Sequence, residues 1–388
     1  MDADVAVIGG GPVGATLALL LARAGRRVTV LEKAQLPRDK PCGEGLMPSG
    51  VRVLATAGVD LGAEGFPRVG GVRYRLLGGG SVRGELRSGP GRGVRRTRLD
   101  ALLAERAASV AGVTFLAGCA ARGVSLDGGG ARVDTQAGVL RARILVGADG
   151  LRSPVARWLG WARPPAGHPR YALVGHLAAG GETLRDEIVV TLLGTVEVYA
   201  APSGPDEVLV AILGSRGALR RPGLSVTESY REAAERAHPD LAGAPLVGRV
   251  HGAGPFRTWP RTVAGGCAFL AGDAAGFLDP LTGDGIAAGL TQAAALARLL
   301  AAPLDLADAR QVAEAAAAYR AERARHWRRR RTVTALALAL TGSTALARRA
   351  MAGVGRRPGA LQSLLEVNDG TRGLGGIGAR DWAALAGF

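Results

Sequence analysis

The feature that most constrains the fold is a glycine-rich turn near the N-terminus, residues 9–14 with the sequence GGGPVG. A short apolar run, residues 5–8, precedes the turn, and an Ala- and Leu-rich segment at helical spacing follows it to about Ala24. A second apolar run, residues 27–31, then ends at Glu32. This order of strand, glycine turn, helix, strand and acidic residue predicts a Rossmann-type dinucleotide-binding unit.

Each glycine of the turn has a separate role in such a unit. Gly9 permits the tight turn, Gly11 lets the backbone approach a pyrophosphate, and Gly14 lets the helix pack closely on the strand. The helix N-terminus then faces the phosphates. Glu32 would accept hydrogen bonds from a ribose diol, and its charge disfavours a 2′-phosphate. The sequence therefore predicts a resident FAD or NAD rather than NADP, in a site that also includes Lys33.

The rest of the chain predicts a discontinuous cofactor domain with a second domain inserted into it. A length of 388 residues is sufficient for two connected domains. Alternating apolar and polar residues over 69–85, and strand-like runs between 171 and 213, predict a second sheet that faces the substrate. The predicted segments are 1–70, 96–165 and 256–303 for the cofactor domain, 71–95 and 166–255 for the substrate domain, and 304–388 for a helical C-terminal region.

The basic composition does not predict a nucleic-acid partner. The formal net charge is +16, yet only Lys33 and Lys40 are lysines, so 47 of the 49 basic residues are arginines. Most of them are scattered singly, and no nucleic-acid-binding signature is present. We interpret the charge chiefly as a bias toward Arg, Ala and Gly.

The cysteines and the N-terminus favour a reducing compartment. Cys42, Cys119 and Cys267 form no CxxC pair and are too few for a disulfide scaffold. The chain begins almost directly with a strand, which leaves no room for a cleavable signal peptide. We therefore expect a cytoplasmic protein, and no metal site is predicted.

One apolar stretch raises the question of membrane contact. Residues 332–347 contain no charged side chain and are flanked by arginines. Sixteen residues are too few for a membrane span. A helix packed on the cofactor domain is favoured over an interfacial helix on anionic lipid, because Gly342 and Ser343 interrupt the apolar stripe.

Two later motifs distinguish FAD from NAD. Residues 147–150 are GADG, with Arg152 and Ser153 close behind, and residues 272–276, GDAAG, continue to PLTGDGI at 280–286. At these residues the chain resembles the flavoprotein family that contains the aromatic-ring hydroxylases (single-component FAD monooxygenases), the flavin halogenases and the geranylgeranyl reductases. The resemblance covers about three quarters of the chain. It implies an α/β fold: a Rossmann-type FAD-binding domain with an inserted antiparallel β-sheet substrate domain and a helical C-terminus.

The resemblance also implies roles for individual residues. Asp273 would bind the ribityl chain of FAD, and the turn that begins at Pro280 would bring backbone N–H groups to the pyrimidine end of the flavin. A helix N-terminus at that end stabilises the negative charge of reduced flavin. The residues of this turn are Gly283, Gly285 and Ile286. Arg96 and Arg38 would contact the phosphates or a ribose, although a solvated surface charge is an equal alternative for Arg38. Asp149 would support the fold and the nucleotide.

Residues 40–48, KPCGEGLMP, are similar to a loop that lies close to the flavin in the geranylgeranyl reductase branch. Cys42 and Met47 of this loop are candidates for the substrate pocket, and Cys42 is expected to be a packed side chain rather than a nucleophile. Tyr199 and Pro202 are further candidates. They occupy the place of an aromatic-rich Tyr-x-Trp-x-Phe-Pro strand in prenyl reductases but lack its other two aromatics, which counts against reduction of a long isoprenoid.

The resemblance favours a monooxygenase. No residue is assigned a catalytic role, because the flavin carries the chemistry. NAD(P)H would reduce FAD transiently, and O2 would form a flavin C4a-hydroperoxide. That species would hydroxylate or epoxidise a largely apolar aromatic, polyketide, indole or terpenoid molecule in natural-product biosynthesis. A separate flavin reductase as partner is compatible with the sequence. The alternatives are a geranylgeranyl reductase-like alkene reductase or dehydrogenase, and a flavin-binding scaffold without turnover. A tryptophan-type halogenase is disfavoured, because no Lys follows Lys40.

Overall fold

A computed structural model describes residues 1–164, 167, 169–179, 184, 186–301 and 303–388. The expected domain boundary between residues 165 and 166 lies outside the described residues. The strands are β1 (Ala3–Ile8), β2 (Val28–Glu32), β3 (Gly45–Leu46), β4 (Arg68–Val69), β5 (Gly71–Leu76), β6 (Ser81–Glu85), β7 (Gly91–Gly93), β8 (Val113–Ala117), β9 (Ala121–Asp127), β10 (Gly130–Thr135), β11 (Gly138–Gly147), β12 (Tyr171–Ala178), β13 (Glu187–Leu192), β14 (Val196–Gly204), β15 (Glu207–Gly214), β16 (Leu246–Ala253), β17 (Ala264–Gly265) and β18 (Ala268–Leu270). The helices are α1 (Pro12–Arg23), α2 (Pro48–Thr56), α3 (Arg96–Ala108), α4 (Pro154–Trp158), α5 (Arg216–Leu219), α6 (Val226–Ala237), α7 (Gly285–Leu300), α8 (Ala309–Thr341), α9 (Thr344–Arg356), α10 (Gly359–Asp369) and α11 (Ala379–Leu385).

The first sheet carries the glycine-rich turn. Its strand order is β17-β18-β11-β1-β2-β8, and β1 pairs in parallel with both β11 and β2. The central strands are buried on both faces, which explains their almost continuous apolar sequence. Helix α1 packs against α3 and α7 on one face. The glycine turn therefore lies at the carboxyl end of β1, where open α/β sheets bind their ligands.

The second sheet has the order β16-β12-β15-β14-β13-β5-β6. It is antiparallel except that β13 runs parallel to β5, because the chain crosses over from the first domain between these two strands. Successive side chains alternate between its two faces. Helix α6 packs against one face of this sheet. The other face is turned toward the cofactor domain, and side chains of both domains belong to one large core cluster there. A small sheet of β3, β7 and β4 joins the two domains.

The C-terminal region is helical, as predicted. Helix α8 lies along α7 and β17, while α9 and α10 contact β6 of the second sheet. The uncharged stretch 332–347 is not one helix, since α8 ends at Thr341 and Ser343 caps α9. Val333 and Ala347 in it are buried, whereas Leu346 is 47% exposed. Among the described residues, we find no helix with enough length and apolar character to cross a membrane. The α/β fold class predicted from the sequence is confirmed.

Candidate functional site

A cleft of about 510 Å³ runs from the carboxyl ends of β1 and β2 to the inner face of the second sheet. It brings together residues that are far apart in the sequence. The predicted site residues that line it are Gly9, Gly11, Glu32, Lys33, Arg38, Cys42, Arg96, Asp149, Tyr199, Asp273, Pro280, Gly283, Gly285 and Ile286.

The glycine turn leaves an open cradle at one end of the cleft. Gly9 has a φ of +106°, and a Cβ there would collide with the carbonyl of Ala148. A Cβ on Gly14 would collide with the carbonyl of Gly9, so α1 packs directly on the turn. The position of a Cβ on Gly11 is different, because its nearest neighbours are the guanidinium groups of Arg96 at 3.8 Å and Arg38 at 3.9 Å. The space next to Gly11 is therefore open and faces two cations.

Glu32 is held rigidly at the end of β2. Its side chain accepts hydrogen bonds from the backbone N–H of Gly10 at 2.9 Å and of Ala34 at 3.0 Å. Arg38 lies 3.3 Å from the same carboxylate. The residue is only 2% exposed. Its carboxylate is thus fixed beside the glycine turn, where a ribose diol would reach it.

Arg96 is buried next to the cradle and paired within its own helix. Its guanidinium donates two hydrogen bonds to Asp100, at 2.8 and 2.7 Å. Burial opposes the charged form, but the ion pair with Asp100 outweighs this effect and raises the pKa of Arg96. Since a guanidinium has five N–H donors, the pairing leaves others free for a phosphate.

Lys40 is a cleft residue that the sequence analysis did not select. Burial lowers the pKa of its ammonium group, repulsion from Arg96 lowers it further, and Asp273 opposes the shift. With Arg38 and Arg96 it forms a group of three cations at the cradle end of the cleft. Its only signal in the sequence was its position in the 40–48 loop.

Glu44, the other residue missed in that loop, fixes the loop to the second sheet. It is fully buried with a φ of +54°, a conformation that is costly for a residue other than glycine. One carboxylate oxygen accepts the backbone N–H of Arg96 at 2.8 Å. The other lies 2.7 Å from the hydroxyl of Ser203 and 2.9 Å from Nε2 of His176. A single side chain therefore connects the loop, α3, β12 and β14.

The opposite end of the cleft contains the N-terminus of α7. Gly283 has a φ of +65°, and α7 begins two residues later at Gly285. The first N–H groups of a helix have no partner within the helix and carry a partial positive charge. Behind the turn, Asp284 is paired with Arg330 at 2.6 Å. The turn thus presents backbone donors to the cleft and is supported from its other side.

Tyr199 and Cys42 lie between this turn and the 40–48 loop. Tyr199 is 4% exposed, and its hydroxyl has no hydrogen-bond partner among the described residues. Burial raises the pKa of Tyr199, so the hydroxyl remains a donor. Burial also raises the pKa of Cys42, which keeps its thiol protonated. A protonated thiol is a poor nucleophile.

The floor of the cleft is apolar and includes small side chains. Ala172 and Val174 of β12 and Ala211 and Leu213 of β15 face it. The rings of two phenylalanines close one side, with their centroids 5.5 Å apart. Small residues on this face leave room above the sheet for a bulky ligand.

Two predicted pocket residues do not line the cleft. Met47 is 2% exposed and packs in the core below the 40–48 loop, because its backbone precedes α2. Pro202 is buried, and its backbone carbonyl lies against Gly93 of β7, where a Cβ would collide with it. Neither side chain is available to a substrate in this structure.

Comparison with known proteins agrees with this geometry. A family described as an FAD binding domain matches residues 2–331. The chain belongs to this family of FAD-dependent monooxygenases and geranylgeranyl reductase-like flavoproteins. It is an oxidoreductase with FAD as cofactor. The open space beside Gly11, the fixed carboxylate of Glu32 and the three cations fit a nucleotide with a pyrophosphate.

Individual relatives of the flavoprotein include both reductases and monooxygenases. It is 32% identical to menaquinone reductase of Mycobacterium tuberculosis over 333 residues, covering 77% of this chain and 76% of the relative. It is 31% identical to rifampicin monooxygenase of Streptomyces venezuelae over 315 residues, covering 78% and 64%. Among solved structures, PqsL of Pseudomonas aeruginosa in complex with 2-aminobenzoylacetate is 26% identical with a TM-score of 0.70, covering 83% and 91%.

Proposed function

We propose that this flavoprotein is a monooxygenase that acts on a largely apolar small molecule. NAD(P)H would supply two electrons to FAD, and O2 would react with the reduced flavin to give a C4a-hydroperoxide. One oxygen atom would hydroxylate or epoxidise the substrate, and the other would leave as water. The observation that carries the proposal is the apolar floor of the cleft, which faces the turn before α7 where the flavin ring would lie.

The cleft residues suggest how FAD would be held. The pyrophosphate would lie beside Gly11 and take its hydrogen bonds from Arg38, Lys40 and Arg96. Glu32 would bind the adenosine ribose, with Lys33 at the exposed margin. Asp273 would bind the ribityl chain. The backbone of residues 283–286 would meet the pyrimidine end of the ring.

Asp149 has a supporting position in this proposal. One carboxylate oxygen accepts the N–H of Val155 at 2.9 Å, while the other is buried without a partner among the described residues. Burial raises the pKa of Asp149. The unpartnered oxygen faces a cleft in which nucleotide hydroxyls would supply donors.

The shape of the floor favours a broad, multi-ring substrate. The small side chains at positions 172, 211 and 252 widen the space above the sheet, and the Tyr199 hydroxyl is a buried donor that would orient a substrate oxygen. The name of one relative supports this class of substrate. The chain is 36% identical over 169 residues, 40% of its length, to 6-methylpretetramide 4-monooxygenase of Streptomyces rimosus.

A second candidate is an alkene reductase that needs no oxygen. Its support is the menaquinone reductase relative and a 30% identity over 309 residues to a digeranylgeranylglycerophospholipid reductase of Methanopyrus kandleri. The 40–48 loop beside the cleft also favours it. Against it stands the sequence of β14, which keeps Tyr199 and Pro202 but lacks the other two aromatic residues of the prenyl-reductase strand.

The two candidates are separated by the fate of oxygen. Purified protein is titrated anaerobically with NADH and then NADPH while the flavin band at about 450 nm is followed, and air is then admitted. Fast reduction followed by substrate-dependent O2 uptake and a product heavier by one oxygen atom supports the monooxygenase. Substrate-dependent flavin reoxidation under argon supports the reductase. Reduction only after addition of a flavin reductase indicates a partner, and protein that turns over neither type of substrate contradicts both.

A further inference from the structure

A second cavity lies behind the turn that precedes α7. It is a groove of about 170 Å³ between α7 and α8, closed by the start of α2 and the end of α10. It shares no lining residue with the FAD cleft. Asp284, which lines the groove, directly precedes Gly285 of the cleft. We refer to this cavity as the α7–α8 groove.

The carboxylates that line the α7–α8 groove already have cationic partners. Asp284 is 2.6 Å from Arg330, and Asp369 is 3.2 Å from Arg52. Glu322 is 2.6 Å from an arginine of α7 outside the groove. Both carboxylate oxygens of Asp369 accept hydrogen bonds. One accepts from Nη of Arg52 and from the hydroxyl of Ser88, and the other accepts from the backbone N–H of Ser49. The direct ion pairs of these acids are therefore made with other arginines.

Two cations of the α7–α8 groove lack such a partner. Within the described residues, neither Arg323 nor Arg329 has a carboxylate within 4.0 Å, although many ion pairs of that length occur elsewhere. Arg323 is only 5% exposed. It donates one hydrogen bond to the carbonyl of Ala275 at 2.9 Å and stacks on Trp327 at 4.3 Å, which uses only part of its donor set.

One donor on each of these two side chains is buried. Nε of Arg323 and Nε of Arg329 have no hydrogen-bond partner in the described part of the chain. Burial lowers the pKa of Arg323 to about 10, and burial also lowers the pKa of Arg329, although the more distant carboxylates of Asp284 and Asp369 oppose that second shift. Two desolvated cations that face one small cavity without a carboxylate in contact are an unfavourable arrangement that a bound anion would relieve.

We propose that the α7–α8 groove binds a small oxyanion, a phosphate or the phosphoryl group of a larger molecule, through Arg323 and Arg329. A guanidinium presents parallel N–H donors that match two oxygens of a phosphate. The groove is large enough for more than a single water, and its polar wall supplies a further hydroxyl from Ser49. No residue assigned to FAD takes part, so the site is independent of the proposed monooxygenase reaction.

Binding is measured on the FAD-loaded protein, so that the pyrophosphate cradle is filled. Equilibrium dialysis with radiolabelled inorganic phosphate at fixed ionic strength should give one saturable site per chain. Arg323→Gln and Arg329→Gln should each raise the dissociation constant about tenfold or more, because a charge-assisted hydrogen bond is lost. Arg325→Gln is the matched control, since Arg325 is on the same helix and exposed. It should bind phosphate like the unchanged protein.

Two additional measurements make the test decisive. If Arg323→Gln loses its FAD, Arg323→Lys is tested in its place. Lysine keeps the charge but lacks the paired donors of arginine, so Arg323→Lys should weaken phosphate binding, but less than Arg329→Gln does. Competition with glycerol 3-phosphate shows whether the site takes a phosphoryl group on a larger molecule or only the free ion, and either result supports the groove. Absence of saturable phosphate binding, or an equal loss in Arg325→Gln, overturns the proposal.

Discussion

Removal of the Glu44 carboxylate should destabilise the protein more than any surface substitution. In Glu44→Ala the backbone N–H of Arg96 and the hydroxyl of Ser203 lose an acceptor, and His176 loses a neighbour. A buried donor without a partner costs about 1–3 kcal/mol. Ser203 has a second acceptor at 3.2 Å, so its loss is partial. The expected fall in the free energy of unfolding is about 3–5 kcal/mol, as for removal of one partner from a buried charge network.

The left-handed backbone at this position provides an internal control. Glu44→Gly also removes the carboxylate, but glycine adopts a φ of +54° without the penalty of about 1–2 kcal/mol that alanine pays. Glu44→Gly should therefore be less destabilised than Glu44→Ala by about that amount. Asp206→Ala, a change on an exposed residue of the turn between β14 and β15, should have a negligible effect.

Urea unfolding followed by circular dichroism, with and without FAD, measures these differences. FAD affinity should fall in both Glu44 variants, since the loop that carries Lys40 and Cys42 is no longer fixed to α3 and the second sheet. The reasoning is refuted if Glu44→Ala unfolds within about 1 kcal/mol of the unchanged protein. It is also refuted if the alanine and glycine variants are equally stable.

Three further predictions concern substitutions at the glycine turn, at Tyr199 and at His238. Gly14→Ala should fail to fold, because its Cβ collides with the carbonyl of Gly9, whereas Gly11→Ala should keep its unfolding free energy and bind FAD at least about tenfold more weakly, by fluorescence titration. Tyr199→Phe should be as stable as the unchanged protein or up to about 1 kcal/mol more stable in urea, since the hydroxyl has no partner, but should raise KM for a substrate that it orients; an unchanged KM argues against that role. Burial, with a nearby arginine, lowers the pKa of His238 to about 4, so the unfolded chain takes up the proton first as the pH falls below about 6.5. The free energy of unfolding should decline by about 3 kcal/mol as the pH falls from about 6.5 to about 4. His238→Asn should show a flatter dependence of this free energy on pH.

The cofactor end of the cleft could be predicted from sequence because its determinants are local. Residues 9–14 and Glu32 belong to one short unit whose spacing fixes their geometry. Residues 272–286 form a second compact motif. Such segments specify their own backbone, so their relative positions follow from the fold.

Residues that act through distant partners could not be found in this way. Glu44 contacts His176 and Ser203, which are 132 and 159 positions away, so no spacing rule connects them. Helix α6 was missed for another reason. Its capping box, formed by Ser225 and Glu228, and its buried residues at helical spacing, Tyr230, Ala234 and Ala237, are clear local signals, but they lie in the segment 166–255, for which only a sheet was predicted.

The ion pairs around the turn before α7 explain how an arginine-rich chain builds a fixed flavin site. Arg170 joins Asp279, which caps the turn, to Glu197 of β14, at 2.8 and 2.7 Å. Arg330 holds Asp284 from the side of α8. The turn is therefore tied to both domains before any cofactor binds, which lowers the ordering cost of presenting its N–H groups to the flavin. Lysine would supply the charge but not the paired donors that bridge two carboxylates, so the preference for arginine is structural at these buried positions.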